Sequence, residues 1–359
     1  MDNEVIAHSK PTLGKEEEVA VAEVIRSGQI SQGKRVELFE YKMANYVGRR
    51  HAIAVNSGLA ALHLSLIALN VKAGDEVILP SYTCDALLAA VLYLNAHPII
   101  VDVEYETGNI CPVEVRRNIT SRTKAIIVPH SFGFTANLDQ IISLGIPVIE
   151  DCATSIGARY KGKMVGSFGV ISVFSFYATK MLTTGEGGMI ITDDGDIAEV
   201  VRELRDYTGH TEYRVRYNYK MTDIAAALGN VQLENLDNFI ERRTILAVQY
   251  TKLLTGYPGL LLSRYDSREM KPVFYRYIVK LPDFDVANIR YMMKEKGILC
   301  GKAVLQPLHR LLKLPAEKRY LNSEKLAREV ISLPIYPLLT REMVSYVCDK
   351  FLGLLEAQR

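Results

Sequence analysis

A chain of 359 residues is too long for one simple core and suits two domains that share an interface. With 48% apolar and 23% charged residues it has the balance of a soluble globular enzyme, which excludes a disordered or fibrous chain. A net charge of +2 gives no reason to expect nucleic acid or an anionic membrane as a partner.

The polar, acidic start, MDNEVIAHSKPTLGKEEE, does not read as a signal peptide. After Tyr46 short apolar runs alternate with longer helical patterns. The runs are AIAVN (52–56), EVILP (76–80), PIIVD (98–102), AIIVP (125–129), PVIED (147–151), ISVFSF (171–176) and MIITD (189–193). Each is nearly continuous in apolar residues, as strands buried on both faces are. GLAALHLSLIALN and DALLAAVLYLN fill two of the gaps as helices. This rhythm predicts an α/β sandwich around a mostly parallel sheet.

The most apolar segment, ALLAAVLYLNAHPIIVD, is broken by Asn95, His97 and Pro98 and falls short of a membrane span. From about Asp223 one or two long amphipathic helices follow, then strand-like VFYRYIVKL (273–281), a helix over 286–297 and a closing helix over 341–358. The predicted division is a large domain over 1–240 and a smaller α+β domain over 241–359. Five scattered cysteines without a CxxC pair suggest neither disulfides nor zinc, and point to a reducing cytoplasm. The seven histidines form no HxxxH or HExxH pattern, so no metal site is expected.

Ligands of open α/β sheets bind beyond the carboxyl ends of the strands. Those ends supply Ser57-Gly58 after AIAVN, SYTC after EVILP, HSFG after AIIVP, Asp151 at the end of PVIED, and the turn FSFYATKMLTTGEGG after ISVFSF. Ser57-Gly58-Leu59 can offer backbone N–H groups and a positive helix end to a phosphate. Ser175 can add a hydroxyl. Asp151, behind an apolar run, needs a cationic partner such as a protonated heterocyclic nitrogen. Lys180, beside a glycine-rich turn, can form a Schiff base with a carbonyl cofactor. Each residue also has a plain structural alternative: a helix cap for Ser57 and Asp151, a buried strand serine for Ser175, a solvated charge for Lys180. Together, however, phosphate cradle, carboxylate and lysine are the three fixed points of a pyridoxal 5'-phosphate (PLP) site.

On these motifs the sequence resembles the DegT/StrS family of PLP-dependent nucleotide-sugar aminotransferases over essentially its whole length. The matching stretches include SGQISQGKRVELFE (27–40), NSGLAALHLSL (56–66), PVIEDCATSIGARYKGKMVGSFG (147–169), FSFYATKMLTTGEGG (174–188), YNYKMTDIAAALGNVQL (217–233), PLH (307–309) and SLPIYP (332–337). The resemblance implies a fold-type I architecture with a seven-stranded large domain, and a homodimer with active sites at the subunit interface. It makes Lys180 the lysine that carries the cofactor and acts as general base, and Asp151 the partner of the pyridine nitrogen. Ser175 and the backbone at Gly58-Leu59 become phosphate ligands, and Asn218 reaches the phosphate of the neighbouring subunit. A minority branch of the family has histidine at the lysine position and dehydrates its substrate, so Lys180 implies amino transfer.

The chain departs from the family pattern at four places. Cys84 stands where an aromatic residue often stacks on the cofactor ring, with Tyr82 as a possible substitute. Thr154 replaces glutamine or histidine near the ring hydroxyl, Leu59 a threonine and Lys220 an arginine. The implied reaction takes an amino group from L-glutamate or L-glutamine to a keto group of a nucleotide-linked deoxysugar. Tyr82, Arg214, Lys302 and His309 are candidate substrate contacts, with Tyr213 and Arg216 beside Arg214. A cyclitol ketone as acceptor, a non-catalytic PLP protein and a nucleotide-sugar-binding module remain alternative expectations.

Overall fold

Seven apolar runs become the seven strands of one sheet: β1 (His51–Val55), β2 (Glu76–Pro80), β3 (His97–Val101), β4 (Thr123–Pro129), β5 (Val148–Asp151), β6 (Ile171–Ser175) and β7 (Gly188–Thr192). Their order is β1-β7-β6-β5-β4-β2-β3. The neighbours β6-β5-β4-β2-β3 pair in parallel, while β7 runs antiparallel to both β1 and β6. The computed structural model describes residues 5–315 and 319–358; the first four residues of the polar start, and residues 316–318 and 359 of the C-terminal segment, lie outside it.

Helices cover both faces, as parallel strands require. Helix α3 (Gly58–Ala68) is buried from Ala60 to Leu66 and packs on β6 and β7. On the other face α1 (Lys15–Ser27) and α2 (Lys34–Val47) pack against a long helix over Asp223–Leu254, with α4 (Ala86–Leu92) and α5 (Gly195–Leu204) intervening in the chain.

The amphipathic stretch after Thr222 is a single helix, α6 (Asp223–Leu254, 32 residues). The Thr222 hydroxyl accepts from the N–H of Ala225 at its start. Asp223 is buried and ties α6 to α2 by accepting from the N–H groups of Gly33 (2.8 Å), Arg35 (3.3 Å) and Val36 (3.1 Å). Along α6 the packing partners change. Leu233, Leu236 and Ile240 join a core with Phe39 and Met43, whereas Leu246, Ala247, Tyr250 and Leu254 join Val279, Ile331, Val347 and Phe351. We propose the domain division within this helix, between Ile240 and Leu246; Ile6 packs with the C-terminal core.

The C-terminal layer is a three-stranded sheet of β8 (Leu261–Leu262), β9 (Tyr277–Lys280) and β10 (Val330–Leu333), flanked by α7 (Val286–Glu295) and α8 (Arg341–Ala357). The expected strand over 273–281 is shorter than its sequence suggests. Phe274 has φ 49°, and the N–H groups of Val273 and Arg276 donate to the carbonyls of Gly133 and Phe132 instead of a sheet neighbour. The aromatic run therefore turns toward the large sheet before its ladder begins.

One buried carboxylate fixes the loops behind β5. Glu150 accepts from the N–H groups of Gly166 (2.8 Å), Phe168 (2.7 Å) and Gly169 (2.6 Å), and pairs with His130 Nε2 at 3.2 Å. His130 Nδ1 accepts from the N–H of Ala136, so Nε2 carries the proton. His130, Glu150 and Cys152 lie close enough to bracket an ion, but the first two are already engaged in this network. Burial pushes the Glu150 carboxyl up, yet His130 and the amides outweigh it and hold it below its ordinary range. That contribution is present above the unfolded-state pKa and is lost as pH falls. Glu150→Ala orphans four donors, the three amides and His130 Nε2, and is expected to cost ~3 kcal/mol or more, checked by urea unfolding at neutral pH.

Candidate active site

Strands β2, β4, β5 and β6 end around one cavity of about 510 Å³. It brings together Ser57, Gly58, Leu59, Tyr82, Cys84, Asp151, Thr154, Ser175 and Lys180. At one end, the Ser57 hydroxyl caps α3 by accepting from the N–H of Ala60 at 3.1 Å. The N–H groups of Gly58 and Leu59, in the first helical turn, have no intrahelical acceptor and suit an anion. Across from them the Ser175 hydroxyl has no partner among the described residues. A Cβ at Gly58 would lie 2.8 Å from Ser175 Cβ, so the approach of helix and strand requires glycine. Gly58→Ala is expected to weaken PLP binding about tenfold, since overpacking costs ~1–3 kcal/mol; fluorescence titration of the apoprotein with PLP measures it.

Asp151 ends β5, with Oδ1 accepting from the N–H of Ala153 at 3.0 Å. Its other oxygen has no hydrogen-bond partner among the described residues. Burial pushes the carboxyl above its ordinary range, and Lys180 and His130 only partly offset this. A protonated ring nitrogen is the partner such a carboxylate lacks.

The Lys180 turn is closed by backbone bonds from Lys180 N–H to the Tyr177 carbonyl and from Phe176 N–H to the Gly187 carbonyl, both 2.9 Å. Gly187 has φ 159°, and a Cβ there would meet Thr184 Oγ1 at 2.4 Å. The Lys180 ammonium projects into the cavity 5.4 Å from the centroid of the Tyr275 ring. Among the described residues no carboxylate forms an ion pair with it. Cradle, carboxylate and free lysine thus all fit PLP.

The other expected contacts divide. Thr154 lines the cavity and donates to the His130 carbonyl at 2.8 Å. Tyr82 is a fixed wall rather than a stacking partner: its ring packs edge-on against Phe132 and its hydroxyl donates to the Leu326 carbonyl. Cys84 is exposed. Asn218 is exposed and outside this cavity, its carbonyl accepting from Asn56 Nδ2. Arg214 pairs with Glu203 at 2.8 Å, away from the cavity, and exposed Lys302 does not line it.

His309 requires a correction. It is fully buried, stacked on Tyr320, with Nδ1 2.5 Å from Ser81 Oγ and Nε2 2.7 Å from Glu324 Oε1. Both ring nitrogens are occupied, so it braces the segment beside the cavity and is not free to meet substrate.

The cavity residues that sequence reasoning did not single out are Phe132 and Tyr177, within the strand-end segments, and Tyr275, Arg276 and the segment Ala303–Gln306, from outside them. The Tyr275 hydroxyl is pushed up by burial, but Lys180, Arg276, Arg243 and a hydrogen bond with Thr179 outweigh this and lower it. The only hint in the sequence was an arginine inside an otherwise aromatic and apolar run.

A mostly parallel α/β sheet with a phosphate cradle, a carboxylate and a lysine at its strand ends suits a PLP-dependent enzyme. The chain belongs to the DegT/DnrJ/EryC1/StrS aminotransferase family, whose description matches residues 11–352. It is 35% identical to GDP-perosamine synthase of Escherichia coli O157:H7 over 356 residues, covering 95% of this chain and 96% of that protein. It is similar in structure to DesV of S. venezuelae, with a TM-score of 0.90, 33% identity and coverage of 95% and 94% of the two chains. The sugar aminotransferase Spr1654 of Streptococcus pneumoniae, described as putative and solved in PLP and PMP forms, matches with a TM-score of 0.92, 25% identity and coverage of 99% and 100%.

Proposed function

We propose that this chain moves an amino group from L-glutamate or L-glutamine to a keto group of a nucleotide-linked deoxysugar. The observation that carries the reading is the unpaired Lys180 ammonium sharing one cavity with a buried Asp151 carboxylate. The names of a relative, GDP-perosamine synthase, and of a structural neighbour described as a sugar aminotransferase support a sugar as acceptor.

Bound here, PLP supplies a ring that withdraws electrons from the carbon bearing the amino group. Asp151 would accept a hydrogen bond from the ring nitrogen and so favour its protonated form. The N–H groups of Gly58 and Leu59 and the Ser175 hydroxyl would hold the phosphate. Lys180 Nζ would take the proton from the amino-bearing carbon as general base and then serve as general acid. Leu62, Leu87, Phe132 and Val304 keep bulk water from that proton.

Asn218 and Arg214 lie outside their own chain's cavity, and Tyr213 beside them is 98% exposed. This placement supports a homodimer in which the 207–218 segment serves the neighbouring site. Five free thiols accord with a reducing, cytoplasmic setting.

The test is the absorbance spectrum of PLP-loaded protein before and after L-glutamate or L-glutamine, without acceptor. Conversion to the pyridoxamine spectrum by either donor supports the first half of the reading, and a spectrum that ignores both overturns it. Nucleotide-linked keto sugars and an inosose are then offered to the aminated form. Reaction with the inosose alone replaces the sugar reading with a cyclitol one.

A further inference from the structure

Three arginines, Arg243, Arg276 and Arg290, lie within electrostatic reach of half-buried His8. Arg243 is fully buried, and its Nη1 donates to the carbonyls of Ile335 (2.9 Å), Tyr275 (3.3 Å) and Phe274 (3.4 Å). Arg290 Nε donates to the Cys300 carbonyl at 3.5 Å. Arg276 lines the cavity; its guanidinium carbon lies 5.1 Å from the Tyr275 ring centroid, and its Nη1 rests 3.1 Å from both ring nitrogens of His8. Among the described residues none of the three forms an ion pair with a carboxylate.

His8 does not add to this charge. Burial and the three arginines lower its pKa to about 3, so it is neutral at working pH. Its Nε2 is 2.8 Å from Ser332 Oγ, which fixes the ring beneath Arg276. The remaining guanidinium N–H groups of Arg276 have no protein acceptor among the described residues. A half-buried guanidinium is rarely left so, and a carboxylate matches its planar fork.

We propose that Arg276 binds a carboxylate of the amino donor and so orients the donor's amino-bearing carbon toward Lys180. Lys180 Nζ and the Arg276 guanidinium flank the same Tyr275 ring, at 5.4 and 5.1 Å. Both groups also line the same cavity, so an anion seated on Arg276 shares that cavity with the Lys180 ammonium. The carboxylates of an amino-acid donor are one to three bonds from that carbon. The diphosphate of a nucleotide sugar is held away from its ketone by the sugar ring. The inference rests on the donor half of the proposed function and names the residue that selects for it.

The experiment titrates PLP-loaded protein with glutarate, an unreactive dicarboxylate, by calorimetry, with neutral glutaramide as the control. Arg276→Gln is expected to weaken glutarate binding by at least about tenfold, the usual worth of one charge-assisted pair, and to leave glutaramide unchanged. Arg276→Lys, which keeps the charge and loses the fork, is expected to fall between. KM for L-glutamate is expected to rise in parallel, with the spectrum of bound PLP and the thermal midpoint unaltered.

Equal glutarate affinity in wild type and Arg276→Gln, or no glutarate binding by wild type, overturns the proposal. A rise confined to KM for the keto-sugar acceptor, with glutarate binding unchanged, also overturns it and assigns Arg276 to an acceptor phosphate. Glutarate binding that depends on Arg276, in a protein whose cofactor ignores L-glutamate and L-glutamine, upholds the carboxylate site and overturns the donor assignment instead.

Discussion

Lys180→Ala is expected to lower turnover by about 10⁴-fold while leaving the fold in place and PLP held without its covalent link. General acid–base transfer by a positioned side chain is worth ~10²–10⁴, and loss of the covalent anchorage adds to it. The structure isolates the effect. Lys180 Nζ forms no ion pair or hydrogen bond with the described residues, and the turn around it is held by backbone bonds from Lys180 N–H and Phe176 N–H. The thermal midpoint should therefore move by only a few degrees, and dialysis should strip PLP from the variant faster than from wild type. Steady-state turnover with L-glutamate and a keto sugar is the readout. Activity within tenfold of wild type would show that another group moves the proton.

Asp151→Asn is expected to cost between ~10²- and ~10³-fold in turnover, a magnitude typical of losing one preorganised charge contact at a reacting centre. The amide keeps the shape and can still accept from the Ala153 N–H, so folding is spared. What disappears is the charge that holds a proton on the ring nitrogen. If the variant merely unfolds, with normal turnover per folded molecule, Asp151 is a cap and not a cofactor ligand.

The same residue predicts a pH signature. Burial raises the Asp151 carboxyl pKa in the cofactor-free protein, so just above the ordinary carboxylate range the folded state holds a proton that the unfolded state has released. Apoprotein stability should fall as pH rises through that interval and be level beyond it. Asp151→Asn should remove the slope, as should PLP in the wild type, because the ring cation stabilises the charged carboxylate. Thermal midpoints across pH check both.

Much of the large domain is legible in the sequence, because strands buried on both faces have no polar face to obscure them. Every one of the seven runs is a strand to within two residues at either end. Helices α3 and α4 are legible for the same reason. The run 273–281 misleads because nothing in its composition reveals that Phe274 adopts a left-handed backbone. The strand-end residues that line the cavity are legible, since sheet topology alone gathers Ser57, Asp151, Ser175 and Lys180. Tyr275 and Arg276 are not, because their arrival depends on how the C-terminal layer docks. His309 illustrates the opposite error: a polar residue in a loop-like PLH reads as available, and only the packing shows it saturated by Ser81 and Glu324.

Helix α6 makes the two layers mechanically continuous. Its 32 residues span about 48 Å at 1.5 Å per residue. One end is pinned to α2 through the Asp223 carboxylate, and the other is embedded among Tyr250, Val347 and Phe351. Its first half is also clamped along its length, with Leu233, Leu236 and Ile240 against Phe39 and Met43, and the backbone of Val273 and Arg276 is bonded to Gly133 and Phe132 of the large layer. The helix therefore acts as a splint that keeps the Arg276 wall in register with the Lys180 turn, and Asp223→Ala would loosen one of its fastenings while leaving every cavity residue intact.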